Sequence, residues 1–125
     1  MAFRYFNNNP CRTLVGDCVI RAVSVVTNQT WKKTHTELCT LSREMCDMPS
    51  SNRVWSAYLE NKGFEMHKIP NYCPDCYRVV DFCRENPYGK FLVSSGSHVI
   101  AVVFGDYLDT WDSGDEVVEA YWRKA

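Results

Sequence analysis

"HVIAVVFGDYLDTWD", residues 98–112, decides how the second half of this chain folds. Val99 to Val103 is an unbroken apolar, mostly β-branched run. Phe104-Gly105-Asp106 then interrupts it, and a second strand-like run follows from Tyr107. The pattern predicts two antiparallel strands joined by a short turn. His98 opens the first strand, and the second carries Asp109 and Asp112. With a tight turn at Phe104-Gly105, Asp109 falls on the His98 face, one diagonal step away. With a three-residue turn through Asp106, Asp112 lies directly opposite His98. A slip of one residue exchanges the faces, so both registers stay open at this point.

Working outward, "KFLVSSG" (90–96) reads as the strand before this hairpin and "EVVEAYWRK" (116–124) as one more strand after it. Together they predict an antiparallel meander. The first half has a different texture. "GDCVIRAVSVVTNQ" (16–29) carries Val19, Ala22, Val23 and Val26 at helical spacing, with Asp17 placed to cap the helix by accepting a first-turn N–H. "TWKKTHTELCTLSREM" (30–45) predicts a second helix capped by Thr30, with Trp31, Leu38 and Leu41 as its apolar stripe. "SSNRVWSAYLENKGF" (50–64) predicts a third, stopped at Gly63. "YRVVDFCREN" (77–86) predicts a short fourth. Helices followed by strands imply an α+β fold, with N-terminal helices packed on a small antiparallel sheet. The 125 residues suit one domain, and 46% hydrophobic residues suffice for one core. A net charge of -1 offers no basic field for nucleic acid. The longest apolar run, Val99 to Phe104, is strand-length, so no membrane span is expected. "MAFRYFNNNP" (1–10) lacks a basic-then-apolar leader, which predicts an intracellular, cytoplasmic protein.

Cys18 stands where the first helix begins. Unpaired amides and the positive end of the helix dipole stabilise a thiolate there. A cysteine in such a place is more often a small buried hydrophobe, so chemistry needs a partner base. His35 and His67 lie in polar stretches and read as surface residues. His98, after the small residues "SSGS" and beside a hairpin bearing two acids, is the candidate. A thiolate needs a base, and the base needs a carboxylate to orient it. The chain order Cys18, His98, then Asp109 or Asp112 meets that requirement.

Those residues and their surroundings resemble the papain-like cysteine peptidase superfamily. "GDC" opening a helix is similar to the NlpC-type peptidases and to the peptidase domains of bacteriocin transporters. "NNNPCRTLVGDCVIRAVS" (7–24) with "GSHVIAVVFGDYLDTWDSGDE" (96–116) resembles most a group of small bacterial and phage proteins identified as papain-like cysteine peptidases. The resemblance implies a single papain-like domain over 1–125 and a bacterial or phage-infected setting. It makes Cys18 the nucleophile, His98 the base and Asp109 the orienting acid, with Asp112 as the alternative. It also implies a peptide, isopeptide or other amide substrate attacked through a thioester. Papain-like enzymes place a Gln about six residues before the nucleophile to donate to the oxyanion. Here Arg12 stands at that position, so Asn9, Arg12 and Thr13 are the candidate second donors beside the Cys18 N–H. Arg21, one turn after Cys18, and Trp111, beside the two acids, are candidate substrate contacts, each with a purely structural alternative.

One motif pulls elsewhere. Cys73 and Cys76 have the spacing of half a tetrahedral zinc site, which Cys83, Cys39, Cys46 or His67 could complete; a redox dithiol is the other specific reading. The expectation is nonetheless plain surface thiols, no cofactor, and seven free cysteines in a reducing compartment. The expected partner is a protein or peptide substrate. A rival to the enzyme is a non-catalytic protein on the same fold, such as a phage factor that inhibits a host protein by contact; the absent Gln favours it.

Overall fold

A strand with no polar alternation must be covered on both faces, and the run from Val99 is. In the computed structural model, which describes residues 2–125, the strands β1 (Phe3–Tyr5), β2 (Phe64–Lys68), β3 (Lys90–Ser94), β4 (Val99–Val103), β5 (Asp106–Asp109) and β6 (Ala120–Lys124) form one sheet, in the order β1-β5-β4-β3-β6-β2. Helices α1 (Cys18–Val26), α2 (Trp31–Glu44) and α3 (Asn52–Asn61) cover one face, and α4 (Val79–Glu85) covers the other. Alternation along the strands divides the core. Leu92, Val99 and Ala101 pack with Val23, Leu38 and Leu59 of the three helices. Val93, Ile100 and Val102 pack with Val79, Phe82 and Cys83 of α4.

The mixed α+β class is as the sequence predicts, but the sheet is larger and not purely antiparallel. β1 runs parallel to β5, and β2 pairs with β6. Both are edge strands, and neither stands out from its polar surroundings in the sequence. β3, β4 and β5 are the expected meander. The last strand does not extend it. Residues 113–118 pass along the start of α4, with Val80 N–H donating to the Gly114 carbonyl and Val118 N–H to that of Tyr77. β6 therefore pairs with β3, on the far side from β5.

Three of the expected helix boundaries hold in detail. Thr30 accepts the Lys33 N–H at 3.1 Å. Gly63 has φ of 88°, one residue past the α3 C-cap Lys62, where a side chain would be strained. The fourth helix ends before Pro87. Asp17 is a correction: it occupies the N-cap position of α1, but its side chain caps nothing, because its carboxylate is engaged elsewhere. The seven free thiols are another. Cys73 and Cys76 are joined as a disulfide, and Cys83 is fully buried in the α4 core. Cys73 and Cys76 are thus paired with each other, while Cys83 packs among the apolar side chains of the α4 core. No helix among the described residues is long and apolar enough to cross a membrane.

Candidate active site

The β4–β5 turn selects the acid. Val103 pairs with Asp106 and Val102 with Tyr107, leaving Phe104 and Gly105 as a two-residue turn. Both have positive φ, 48° and 79°, as the hairpin turn whose twist matches the strands requires. Extending that register sets Asp109 opposite Ile100, on the face of His98, and Trp111 opposite His98. The contact follows: His98 Nε2 lies 2.6 Å from Asp109 Oδ2. Asp112 is drawn away by its own neighbours, accepting from the Tyr107 hydroxyl at 2.5 Å and the Gly114 N–H at 3.1 Å. It does not meet His98, so the alternative register is excluded.

On the other side, Cys18 lies near enough to His98 and to the Val99 N–H for both to act on its thiol. Burial pushes the Cys18 thiol up, but the hydrogen bonds from His98 and Val99 and the charges of His98 and Arg21 outweigh it. Its pKa lies below the ordinary thiol value. Burial pulls His98 down, yet its bonds to Asp109 and Cys18 push it up to about 9. For Asp109, burial raises the pKa, while the His98 and Ser113 hydrogen bonds bring it below the usual carboxylate range. All three directions favour a thiolate–imidazolium pair with an ionised acid behind it.

Asp109 is 1% exposed and every lone-pair direction of its carboxylate is used. Oδ2 accepts from His98 and from the Ser113 hydroxyl at 2.7 Å. Oδ1 accepts from its neighbour's N–H, Thr110, at 2.8 Å and from Arg21 Nη2 at 3.1 Å. The other arm of Arg21 bonds Asp17 Oδ1, and Asp17 Oδ2 accepts the Trp31 indole N–H at 2.9 Å. Arg21 is 6% exposed and both arms are occupied. This overturns Arg21 as a substrate contact: the guanidinium ties α1 to the acid of the hairpin, and a buried, doubly paired cation has nothing left to offer a ligand. The same pairing explains why Asp17 is no cap. With its carboxylate turned to Arg21 and Trp31, the first-turn N–H groups of Cys18, Val19 and Ile20 keep no side-chain acceptor.

Trp111 is 48% exposed and lies 5.0 Å from the His98 ring, tilted by 32°, so it forms an outer wall beside the imidazole. The upstream donors are less engaged with the site. Asn9 is buried, but its Oδ1 accepts the Cys11 N–H and its carbonyl accepts the Arg12 N–H, forming a turn. Arg12 and Thr13 are exposed, and none of the three hydrogen-bonds Cys18 or His98. Sequence reasoning missed Ser113 and assigned Asp17 the wrong partner. For Ser113 no local signal exists, since "DSG" is an ordinary turn sequence. For Asp17, the Asp17–Arg21 spacing of four residues was a readable ion-pair signal.

Among the described residues, no group of three His, Cys, Asp or Glu side chains is placed to hold a metal. Comparison with family models, with curated proteins and with solved structures finds no match to this chain.

Proposed function

We propose that this protein is a cysteine-dependent hydrolase of a peptide, isopeptide or other amide bond, built as a papain-like domain. The observation that carries the reading is the grouping of Cys18, at the first position of α1, with His98, whose charge and hydrogen bonding lower the thiol's pKa and whose Nε2 lies 2.6 Å from Asp109 Oδ2. The thiolate attacks the carbonyl carbon, forming a C–S bond and an oxyanion. The unpaired Cys18 N–H, at the positive end of α1, donates to that oxygen. The imidazolium of His98 gives its proton to the leaving amine as the C–N bond breaks. Water then attacks the thioester, His98 takes its proton, and the carboxylic acid and free thiolate are released. Asp109 holds the ring in place and stabilises its charge throughout. The free first-turn amides also bear on the missing upstream Gln: as oxyanion donors on the helix itself, they support an enzyme over a purely non-catalytic binding protein.

The test is the rate of iodoacetamide labelling against pH, with mass mapping of each thiol, in wild type and His98→Ala. A Cys18 pKa below the ordinary thiol value and a His98 pKa of about 9 together predict that the thiolate forms while the imidazole still holds its proton, an ion pair lost above about pH 9. Cys18 is therefore expected to react at lower pH than the other free thiols, and to lose that selectivity without His98. Labelling that rises only near the ordinary thiol pKa of about 8.5, equally in both proteins, sinks the reading and leaves the contact inhibitor as the better one.

A further inference from the structure

Between α4, β6 and the Cys73–Cys76 loop lies a hollow of about 530 Å³, and its lining shares no residue with the Cys18, His98 and Asp109 group. Four aromatic rings shape it. Phe82 is 1% exposed and closes its base. Tyr77 meets Phe82 edge to face with centroids 6.5 Å apart, and Tyr121 lies against Phe82 at 5.1 Å. Tyr72 stands on the rim, 78% exposed. A ring left in water beside three others is apolar area that a ligand would bury.

The charge on the rim has one sign. Asp75 and Glu85 line the hollow, and no Lys, Arg or His does. Glu85 Oε1 accepts the Tyr77 hydroxyl at 2.9 Å. Among the described residues neither carboxylate has an ion-pair partner, and that of Asp75 accepts no hydrogen bond. The two arginines nearest in sequence are committed elsewhere: Arg78 donates to the Asp115 carbonyl at 2.7 Å, and Arg84 to Asp81 at 3.2 Å. Ring faces also attract cations, so the aromatic walls and the acidic rim favour the same ligand charge. The rim is fixed before any ligand arrives. The Cys73–Cys76 disulfide spans it, with Tyr72 directly before the bridge, Asp75 inside it and Tyr77 directly after. Tyr72 and Asp75 also pair as an isolated β-bridge, and the Asn71 side chain accepts the Tyr77 N–H at 2.6 Å. Binding therefore orders little that is not already ordered.

A guanidinium suits these walls better than an ammonium. It is flat enough to stack on a ring, it is weakly hydrated, and its fork of N–H donors can serve carboxylates while it stacks. The hollow is larger than one such group. Its remaining lining includes Ile69 and Pro70, which follow directly on β2, an edge strand paired only with β6. A chain passing that edge would lie over them; a free amino acid would leave them bare. We infer that this hollow is a docking site for an arginine side chain of a polypeptide partner. The site stands apart from the proposed role of Cys18, and neither test bears on the other.

The test is a nuclear magnetic resonance titration of the ¹⁵N-labelled protein with acetyl-Gly-Gly-Arg-Gly-Gly-amide. The same peptide with Lys or citrulline in place of Arg, and free L-arginine, are the comparisons. Citrulline keeps the length and the planar end but has no charge. The Arg peptide is expected to shift the backbone amides of residues 72–77 and 85–86 saturably. The Lys and citrulline peptides and free L-arginine are expected to bind about fivefold or more weakly. Asp75, Glu85 and Tyr72 are exposed, so variants at these positions keep the fold, which the unchanged remainder of each spectrum verifies. Asp75→Asn/Glu85→Gln is expected to weaken the Arg peptide about fivefold, and Tyr72→Ala about threefold. No saturable shift, equal binding of the citrulline peptide, or full affinity in Asp75→Asn/Glu85→Gln overturns the site. Equal binding of the Lys peptide overturns the preference for a guanidinium, and equal binding of free L-arginine overturns the polypeptide partner.

Discussion

Two regions of this molecule display cysteine in a suggestive local motif, and they differ in what surrounds the sulfur. The Cys73–Cys76 loop has the better-known spacing, yet it sits in an exposed turn where the two thiols find only each other. Cys18 has no histidine within ten residues in the sequence that could activate it. It is acted on by His98 and Val99 at the start of β4, with Asp109 of β5 behind His98, and by Arg21 on the next turn of its own helix. The lesson is that spacing describes which atoms are able to meet locally, whereas reactivity is set by buried charge brought from far along the chain.

That contrast is sharpened most by Arg21. In the Cys18 region it is the sole cation between two buried carboxylates. Arg21→Met leaves Asp17 and Asp109 each facing an apolar side chain, and removing one partner of a buried ion network costs about 3–5 kcal/mol. Chemical denaturation should show a loss of that size, and Cys18 labelling at neutral pH should slow in parallel, because Asp109 loses part of its fixed hydrogen bonding. Arg21→Met with wild-type stability and labelling would break the comparison: the site would then be no more dependent on buried charge than the loop.

The loop should respond less. The disulfide closes a ring of only four residues, and the chain-entropy argument assigns so short a loop about 2 kcal/mol at most. The Cys73→Ser/Cys76→Ser double variant is expected to lower the denaturation free energy by no more than that and to leave the pH profile of Cys18 labelling where it was. A displaced profile would mean that the loop, through its hydrogen bonds to residues 115–119, reaches the triad after all.

The smallest effect distinguishes the two acids of the hairpin. Asp112→Asn retains a side-chain acceptor for Tyr107 and for the Gly114 N–H, so about 1 kcal/mol is the expected loss, with Cys18 labelling within about twofold of wild type. A tenfold drop in labelling would show that Asp112, not Asp109, supports the imidazole.

Much of this was legible in the residues. Periodicity placed the four helices, because an apolar stripe at 3.6-residue spacing can be buried in few other ways. The run from Val99 and the Phe104-Gly105 break placed β3, β4 and β5. Cys18 at a helix start and His98 at a strand start followed from the same local signals. Local signals could not settle the choice between Asp109 and Asp112, because two turn lengths fit one sequence and each puts a different acid beside His98. Nor could they find β1, whose three residues owe their strand form to pairing with β5, or β2, which depends on β6. Propensity is weak in so short an edge strand, and the partner decides.

What the sequence determined by itself, then, is what depends on neighbours a few residues apart: helix faces, caps such as Thr30, stops such as Gly63, and the alternation of the strands. What only the tertiary structure decided is what depends on charge in a dry interior. Asp17 sits at a cap position but turns to Arg21 and Trp31, Arg21 turns inward to Asp109, and Ser113 completes the carboxylate. A buried ion cannot remain unpaired. Where two or more buried ions meet, their mutual pairing overrides the weaker preference each residue has for its local role.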